Sequence, residues 1–335
     1  MEKFKSFITE AKEETYKLLI LSHDDPFDPN ETGPMVRKKA SELGIEVYLA
    51  EFSGMYMEDK GKDQLIYSFP VDDDGKVELP GMKDDVEYDK PFRINPENTL
   101  IMARGIGSTV KTGNLSWRVA CLNLESQGYT LINPVICHDI CNDKWYNQIV
   151  FQQNDIRTPN TVLVRHSEGA EDAAERLGNK FPMILKTAVG SRGVGVIWIE
   201  SLKSLHSVIQ LLHREDEFVD VLLQEYIKTD YDVRVIIAAG EILGAIKRPV
   251  VGDDFRSNVS QGSEPVSHEL TEREAQESLR AAESVQGQVV GVDFIPAKNR
   301  DKESPYFIEV NSTPGLMGIE AVLSKSAAKP LIKGK

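Results

Sequence analysis

The pattern of apolar runs changes part-way along this chain, and that change constrains the fold more than any other feature. Up to about Pro134, short apolar runs alternate with amphipathic segments of helical period, beginning with the run at 16–22 and the segment at 34–44. Strands that alternate with helices pair in parallel and are covered by those helices. Further on, the segment 232–250 contains two apolar strands joined near Gly240, which is typical of a hairpin. We therefore predict an α/β fold whose C-terminal part is α+β.

The remaining elements follow from the same periodicities. In the first part, strands are predicted at 45–52, 99–105 and 129–133, and a helix at 113–127. Later strands are predicted at 161–165, 183–186, 196–199, 221–227, 289–295 and 306–311, and helices at 142–153, 171–178, 201–213 and 271–286. These elements predict four units: an amphipathic extension at 1–15, an α/β domain at 16–135, a central subdomain at 136–215 and a C-terminal subdomain at 216–330.

Composition and charge narrow the class of protein. With 335 residues, of which 41% are hydrophobic and 27% charged, the chain is typical of a globular protein with two or three compact units. Its formal net charge of −14 disfavours nucleic acid and anionic membrane surfaces as partners, so we predict neither. Three cysteines do not make a disulfide framework, and the N-terminus lacks the apolar run of a secretory signal. We expect a cytoplasmic protein.

The stretch 57–98 holds much of the negative charge, with twelve Asp and Glu residues against six Lys and Arg residues. Gly, Pro and short apolar runs separate its acidic clusters, which favours a solvated excursion of short strands and loops. The alternative interpretation is a docking surface for a basic partner.

Three oxygen-bearing side chains fall on the two last predicted strands. Glu309 and Asn311 are two residues apart, so they point to one face of their strand, and Asp293 can meet them from the neighbouring strand. Carboxylate and amide oxygens are the ligands that Mg²⁺ prefers. The flanking residues are apolar, and acidic groups among buried strands need a cation. We predict a metal site at these three residues; an exposed polar strand face is the alternative.

A glycine-rich link follows Lys186, which ends an apolar strand. The glycines of GSRGVG (190–195) allow the backbone to approach an anion closely and to turn its N–H groups towards it. The pattern is not the P-loop, and an ordinary β-hairpin would also explain it. The lysine at the strand end favours a phosphate-binding site.

Other candidates are weaker. The segment GIGSTV (105–110) lacks the third glycine of a dinucleotide fingerprint. Cys137, His138 and Cys141 lack a second ligand pair at usable spacing, so we do not predict zinc there. No nucleophile elbow supports Ser-His-Asp catalysis.

Taken together, these segments resemble the ATP-grasp ligases, and most closely the RimK type, whose members are like ribosomal protein S6 glutamate ligase. The likeness covers about residues 99–320 and rests on ordered motifs. They are NDK (142–144), MILKTAVGSRGVGV (183–196), LLQEYI (222–227), DVR (232–234), FRSN (255–258) and EVNSTPGLMGIE (309–320). The resemblance implies an ATP-grasp fold preceded by a parallel-sheet, pre-ATP-grasp domain.

The resemblance also implies roles for individual residues. It implies ATP and one or two Mg²⁺ ions as cofactors, with Mn²⁺ as a substitute. The implied nucleotide-binding residues are Lys144, Lys186, Gly190, Ser191, Gly193, Gln224, Glu225, Tyr226, Ile227, Asp232, Arg256, Ser257 and Asn258. Of these, the lysines and Arg256 would contact phosphates, the backbone at 225–227 would read the adenine edge, and Asp232 would lie near the ribose. The implied catalytic residues are Arg256, Arg234 and Lys186.

One position departs from the family pattern. Gln261 stands where the RimK type is expected to carry an arginine that would hold the acyl phosphate or an acidic substrate. Positive charge would then come from Arg234, Lys247, Arg248 and Arg256.

The activity implied by the resemblance is ATP-dependent carboxylate–amine ligation through an acyl phosphate. An amino acid of the glutamate kind would be joined to a protein, peptide or amino-acid acceptor, for example a protein C-terminus, by an enzyme that we expect to be a homo-oligomer. Arg104 would face the acceptor carboxylate; a surface arginine after a strand is the alternative. An ATP-grasp kinase that stops at phosphoryl transfer, and a weakly active nucleotide-binding protein associated with a phage virion, are the alternative functions.

The extreme N-terminus has its own resemblance. Residues 1–11 resemble the capsid-targeting segments of internal head proteins in large tailed phages, and Ile8-Thr9-Glu10 fits the cleavage site of such segments. This interpretation would place the protein in a host cytoplasm or a phage head. A plain amphipathic helix on the first domain is the alternative.

Overall fold

The computed structural model describes residues 17–22, 32–50, 55–56, 64–66, 92–104, 115–189, 196–215, 219–250, 266–316 and 318–319. The N-terminal segment 1–16, most of the acidic stretch 57–98 and the links at 190–195 and 251–265 lie outside the described residues. Within the described part, no helix is both long enough and apolar enough to cross a bilayer.

The N-terminal part is built on a parallel sheet. Its elements are β1 (Lys17–Leu21), α1 (Thr32–Glu42), β2 (Glu46–Ala50), β3 (Met55–Tyr56), β4 (Gln64–Ile66), β5 (Phe92–Ile94), β6 (Thr99–Ala103), α2 (Leu115–Ser126) and β7 (Thr130–Ile132). The strands β2, β1, β6 and β7 lie side by side in that order and all pair in parallel. The short strands β3, β4 and β5 form a separate antiparallel sheet. The predicted parallel sheet is confirmed.

The central part pairs its strands antiparallel. Its elements are α3 (Val135–Asn142), α4 (Lys144–Gln153), β8 (Thr161–Val164), a 3₁₀ turn (Ser167–Gly169), α5 (Ala170–Arg176), β9 (Met183–Thr187), β10 (Val196–Ile199), α6 (Leu202–Glu215) and β11 (Val221–Glu225). The sheet order is β10, β9, β11, β8. Helix α3 was not predicted, and β11 pairs with β8 and β9 although it follows the predicted boundary at 215.

The C-terminal part is an antiparallel sheet with one covering helix. Its elements are β12 (Tyr231–Ala238), β13 (Glu241–Pro249), β14 (Val266–Ser267), α7 (Glu272–Ser284), β15 (Val289–Ile295) and β16 (Tyr306–Asn311). The sheet order is β14, β13, β12, β15, β16. The predicted hairpin turns through Ala239 and Gly240, whose φ angles are 53° and 79°. Glycine adopts this left-handed region without strain, which explains its place at the turn.

Apolar packing joins the parallel sheet to the C-terminal sheet. One buried cluster contains Leu18 and Ile20 of β1 together with Ile236 of β12 and Val289 of β15. Burial of this apolar surface is the main force that holds the two parts together. The opposite face of the C-terminal sheet packs against α3, α4 and α7. The edge of β15 and β16 is therefore supported from both sides.

Candidate functional site

The predicted metal ligands lie on one face of the C-terminal sheet. β15 and β16 run antiparallel, with Asp293 directly opposite Glu309 and Gly291 opposite Asn311. Directly opposed residues share a face, and Glu309 and Asn311 are two residues apart, so all three side chains project from the same side. Asp293 is 3% exposed, while Glu309 and Asn311 are half-buried. The structure thus brings the three residues together.

The chemistry of these side chains fits a magnesium ion. Two carboxylates and one amide offer the hard oxygen ligands that Mg²⁺ prefers. Asn311 Oδ1 accepts a hydrogen bond of 2.9 Å from the backbone N of Thr313, which orients the amide and leaves a second lone pair on that oxygen. Among the described residues, no three His, Cys, Asp or Glu side chains are grouped as metal ligands. Asn311 would therefore supply the third protein oxygen for a metal ion at this place.

Two arginines hold Asp293 in place. Arg234, opposite Asp293 on β12, donates from Nε to Oδ1 at 2.7 Å and from Nη2 to Oδ2 at 2.6 Å. Arg248 on β13 donates from Nη2 to Oδ2 at 2.9 Å. Burial by itself would raise the pKa of Asp293, but the two guanidinium groups outweigh it and keep that pKa below its ordinary value. Asp293 is therefore a carboxylate at neutral pH.

Arg248 also connects Asp293 with the residue predicted near the ribose. It donates from Nε and Nη2 to the two carboxylate oxygens of Asp232, at 2.7 and 2.6 Å. Burial would lower the pKa of Arg248, but Asp293 and Asp232 raise it instead. The predicted nucleotide residue and the predicted metal ligand are thus parts of one ionic network. Arg248 was predicted only as a source of positive charge; its place as a charged residue within an apolar hairpin strand was the available signal for a buried ionic role.

Two side-chain hydrogen bonds, which together span three strands, hold Lys186 in place. Its Nζ donates to Gln224 Oε1 at 2.8 Å, and Gln224 Nε2 donates to Thr161 Oγ1 at 2.8 Å. Burial lowers the pKa of Lys186 to about 8; Glu309 opposes this shift and Lys144 adds to it. The charges of Glu309 and Lys144 are therefore near enough to change the pKa of Lys186. The side chain of Gln224, predicted as a nucleotide contact, supports Lys186 here.

Lys144 stands at the first position of α4. Asp143 caps this helix by accepting hydrogen bonds from the backbone N of Trp145 and Tyr146, at 2.8 and 3.0 Å. The backbone N of Lys144 donates to Ala188 O at 2.9 Å, which ties the start of the helix to the end of β9. Burial lowers the pKa of Lys144, and Glu309 and Asp143 partly offset it. The NDK motif therefore places Lys144 next to the strand that carries Lys186.

The segment predicted to read adenine begins at the end of β11. Glu225 donates its backbone N to Asn160 O at 3.0 Å, and its Oε1 accepts from the backbone N of Asn160 at 2.7 Å. Tyr226 and Ile227 follow outside the sheet, although the predicted strand continued to 227. The Tyr226 ring packs edge-on against Trp198, with the ring centroids 4.7 Å apart. Nucleotide contacts in this segment remain a prediction.

Arg104 is buried, with 6% exposure, so the alternative of a surface arginine is wrong. Its backbone N donates to Leu21 O at 2.8 Å, which places it at the end of the parallel sheet. The side chain is close enough to His138 on α3 for its charge to help lower the pKa of that imidazole. A role for Arg104 at the acceptor carboxylate stays a prediction.

Sequence reasoning missed two buried polar residues that support the turn after β16. His138 Nδ1 lies 3.0 Å from Ser312 Oγ, and burial is the main cause that lowers the His138 pKa to about 4, so the ring is neutral. Asn133 Nδ2 donates to Ser312 O and Val289 O at 2.6 and 2.7 Å. These partners are more than 150 residues apart in sequence, so no local pattern predicts that they meet.

Several predicted site residues lie outside the described residues. They are Gly190, Ser191, Gly193, Arg256, Ser257 and Asn258, together with Gln261. Their predicted roles at the phosphates stay predictions. The residues that the structure does bring together are the three oxygen ligands, the two lysines and the arginine pair.

Solved ATP-grasp proteins share this architecture. The structure of the ATP-grasp ligase PsnB complexed with minimal precursor matches with a TM-score of 0.65 and 17% identity, over 95% of this chain and 97% of that chain. D-alanine–D-alanine ligase from Bacillus anthracis complexed with ATP matches with a TM-score of 0.59 and 19% identity, over 96% of this chain and 94% of that chain. At such identities the likeness establishes the fold. The chain has the ATP-grasp fold.

Within that class, the chain belongs to the RimK-like ATP-grasp family. The model of the RimK-like ATP-grasp domain matches residues 141–334. A probable alpha-L-glutamate ligase from Rhodopirellula baltica is 33% identical over 192 residues, which cover 57% of this chain and 46% of that protein. Probable alpha-L-glutamate ligase 2 from Pseudoalteromonas atlantica is 28% identical over 211 residues, 62% of this chain and 68% of that protein. The chain thus spans about half the length of the Rhodopirellula relative. The resemblance inferred from motifs is confirmed.

Proposed function

We propose that this protein is an ATP-dependent carboxylate–amine ligase that forms an amide bond through an acyl phosphate. The observation that carries the proposal is the convergence of Lys144 and Lys186 on Glu309, beside Asp293 and Asn311. Two positively charged lysines, next to oxygen ligands for a divalent metal ion, complement the negative charge of a nucleoside triphosphate. Membership of the RimK-like family supports the same activity.

The reaction has two steps. A carboxylate oxygen of one substrate attacks the γ-phosphorus of ATP, the bond to the β,γ-bridging oxygen breaks, and ADP leaves. An amine then attacks the acyl carbon, phosphate leaves, and the amine loses its extra proton to solvent. The protein contributes mainly by positioning the substrates and stabilising charge.

Individual residues have distinct tasks in these steps. Lys144 and Lys186 stabilise the negative charge that shifts between the β- and γ-phosphates. Asp293, Glu309 and Asn311 would hold Mg²⁺, which when bound neutralises phosphate charge and makes the γ-phosphorus more electrophilic. Arg234 would supply donors to the anionic intermediate. Helix α4 and β9 keep the two lysines in register through the contact between Lys144 and Ala188.

The relatives support a proposal for the substrate class. The similar curated proteins are named as probable alpha-L-glutamate ligases, and solved structural neighbours include PsnB with a precursor peptide and the macrocyclase MdnC bound with precursor peptide MdnA. We therefore propose that an amino acid of the glutamate kind is joined to a peptide, protein or amino-acid acceptor.

The test is ADP release by the full chain with ATP, Mg²⁺ and each of the twenty amino acids, alone and with short peptide acceptors. Mass spectrometry identifies the product. A gain of one amino-acid residue mass supports the ligase. A gain of phosphate alone would point to a kinase, and ADP release no greater than that of Glu309→Gln would contradict both activities.

A further inference from the structure

The hydrogen bonds at Asp293 leave little room for a metal ion. Its Oδ2 accepts two N–H groups, from Arg234 Nη2 at 2.6 Å and from Arg248 Nη2 at 2.9 Å. Its Oδ1 accepts Arg234 Nε at 2.7 Å. Because each carboxylate oxygen has two lone pairs, Oδ2 is fully used and Oδ1 retains one acceptor direction. A divalent cation that binds through Oδ2 of Asp293 therefore competes with the guanidinium groups.

The two arginines differ in how firmly they are held. The Arg248 side chain is 3% exposed and has a second carboxylate partner, Asp232, with two bonds of its own. The Arg234 side chain is 19% exposed, and within the described part of the chain its side-chain hydrogen bonds go to Asp293 alone. Moving Arg248 would break two ion pairs in a buried place, whereas moving Arg234 breaks one near solvent. Arg234 is therefore the arginine whose guanidinium group can move away from Asp293.

The aliphatic part of Arg234 is packed, so only its head group has freedom to move. Its Cδ lies beside Gly291 on β15, at 3.7 Å from the position that a Cβ would occupy there, and Pro314 and Ile236 pack against the same position. The movement therefore concerns the guanidinium group, at the end of a side chain that is 19% exposed. When Arg234 moves, Arg248 continues to bridge Asp232 and Asp293, and the two carboxylates then carry one negative charge in excess, which favours a divalent cation.

We propose that Arg234 is an exchangeable counter-ion of Asp293. It holds the carboxylate in the metal-free protein and gives up at least one of its two bonds when a divalent cation binds there. The released N–H groups then serve the anionic phosphate of the bound substrate. The proposal rests on the proposed function, and it makes metal binding the event that frees a catalytic arginine.

The experiment measures Mn²⁺ binding to the nucleotide-free full chain by electron paramagnetic resonance. Arg234→Gln removes the competing positive charge, so we expect it to bind Mn²⁺ about tenfold more tightly, because a guanidinium group beside Asp293 repels a divalent cation. Arg234→Lys keeps the charge but loses the paired bonds, and we expect an intermediate gain. ATP turnover should fall in both variants, so metal affinity and activity change in opposite directions.

The matched control is Arg118→Gln. Arg118 makes the same two-bond pair with Asp139, at 2.7 and 2.6 Å, on helices α2 and α3, and its loss should leave Mn²⁺ affinity unchanged. The double variant Arg234→Gln with Asp293→Asn should lack the gain in affinity. Melting temperatures report whether each variant is folded.

The outcomes separate this proposal from the proposed function. If Arg234→Gln binds Mn²⁺ no more tightly than the unmodified protein, or if the double variant keeps the gain, the exchange at Asp293 is refuted while the ligase proposal stands. If no protein binds Mn²⁺ either alone or with ADP, the metal site and the exchange both fail.

Discussion

Lys186 and Gln224 are joined by a hydrogen bond of 2.8 Å between Nζ and Oε1, across the neighbouring strands β9 and β11. Gln224 is in turn fixed by Thr161 on β8. Because the backbone ladder sets the positions of all three strands, the direction of the lysine is determined by the sheet. This explains how a long, flexible side chain can be held near Lys144 and Glu309 before any nucleotide binds.

Replacement of Gln224 by Leu should weaken this arrangement. We expect the KM for ATP to rise about tenfold and turnover to fall, because Lys186 loses the partner that directs it, a bond to a charged group being worth about 1.5–3 kcal/mol. Steady-state ADP release measures both effects. Arg165→Gln removes an exposed ion pair to Asp220 and serves as the control. An unchanged KM in Gln224→Leu would show that the lysine does not need this support.

The lowered pKa of Lys186 should make ATP binding sensitive to pH. Burial reduces this pKa to about 8, with Lys144 adding to the reduction and Glu309 opposing it. Bound phosphates favour the protonated lysine, so ATP affinity should fall as pH rises above about 8, by about tenfold for each pH unit. Equilibrium nucleotide binding across that range measures the slope. Lys186→Arg stays charged and should flatten the profile; an equally steep profile in this variant would assign the titration to another group.

The two carboxylates of the metal site should respond differently to substitution. Glu309→Gln should abolish ATP turnover with little change in stability. Asp293→Ala should abolish turnover and also lower the free energy of unfolding by about 3–5 kcal/mol, because it removes the carboxylate to which both Arg234 and Arg248 bond and leaves Arg248 with Asp232 alone. Urea denaturation and ADP release check these outcomes. Full activity in either variant would refute the metal-site assignment.

The amide of Asn133 should be a stability determinant at the junction of the two sheets. Its Oδ1 accepts from the backbone N of Gln288 and Val289 at 2.7 and 2.8 Å, and its Nδ2 donates to two carbonyls. Asn133→Ala leaves these buried backbone groups without the hydrogen bonds that Asn133 makes, so we expect a loss of about 2–4 kcal/mol in the free energy of unfolding.

The control for Asn133→Ala is Ser278→Ala. Ser278 is fully buried on α7, and its hydroxyl has no hydrogen-bond partner among the residues that the structure describes, so its removal should cost about 1 kcal/mol or less. Urea unfolding of both variants makes the comparison. Equal losses would mean that the Asn133 bonds add nothing beyond ordinary burial.

Local pattern predicted most of the secondary structure. The bounds of β10, β15 and β16 are those expected from their apolar runs, and the hairpin of β12 and β13 turns at the expected glycine. Helix α3 was missed because eight residues carry little intrinsic helical stability, and this helix is held by packing of Cys137 and Ile140 against the C-terminal sheet. The strand predicted at 221–227 extends two residues past the end of β11.

Local sequence patterns were enough to select the candidate residues of the site. The spacing of Glu309 and Asn311 sets their common face, since side chains alternate along a strand. Short, ordered motifs also identified Lys144 and Lys186 as candidates.

The tertiary structure decided which partners these side chains have. Arg234 and Arg248 reach Asp293 from 59 and 45 residues away, and Asn133 reaches Val289 from 156 residues away. Such partners depend on strand register and on the packing of one sheet against another. Both are set by long-range burial and backbone pairing, and neither leaves a local pattern in the chain.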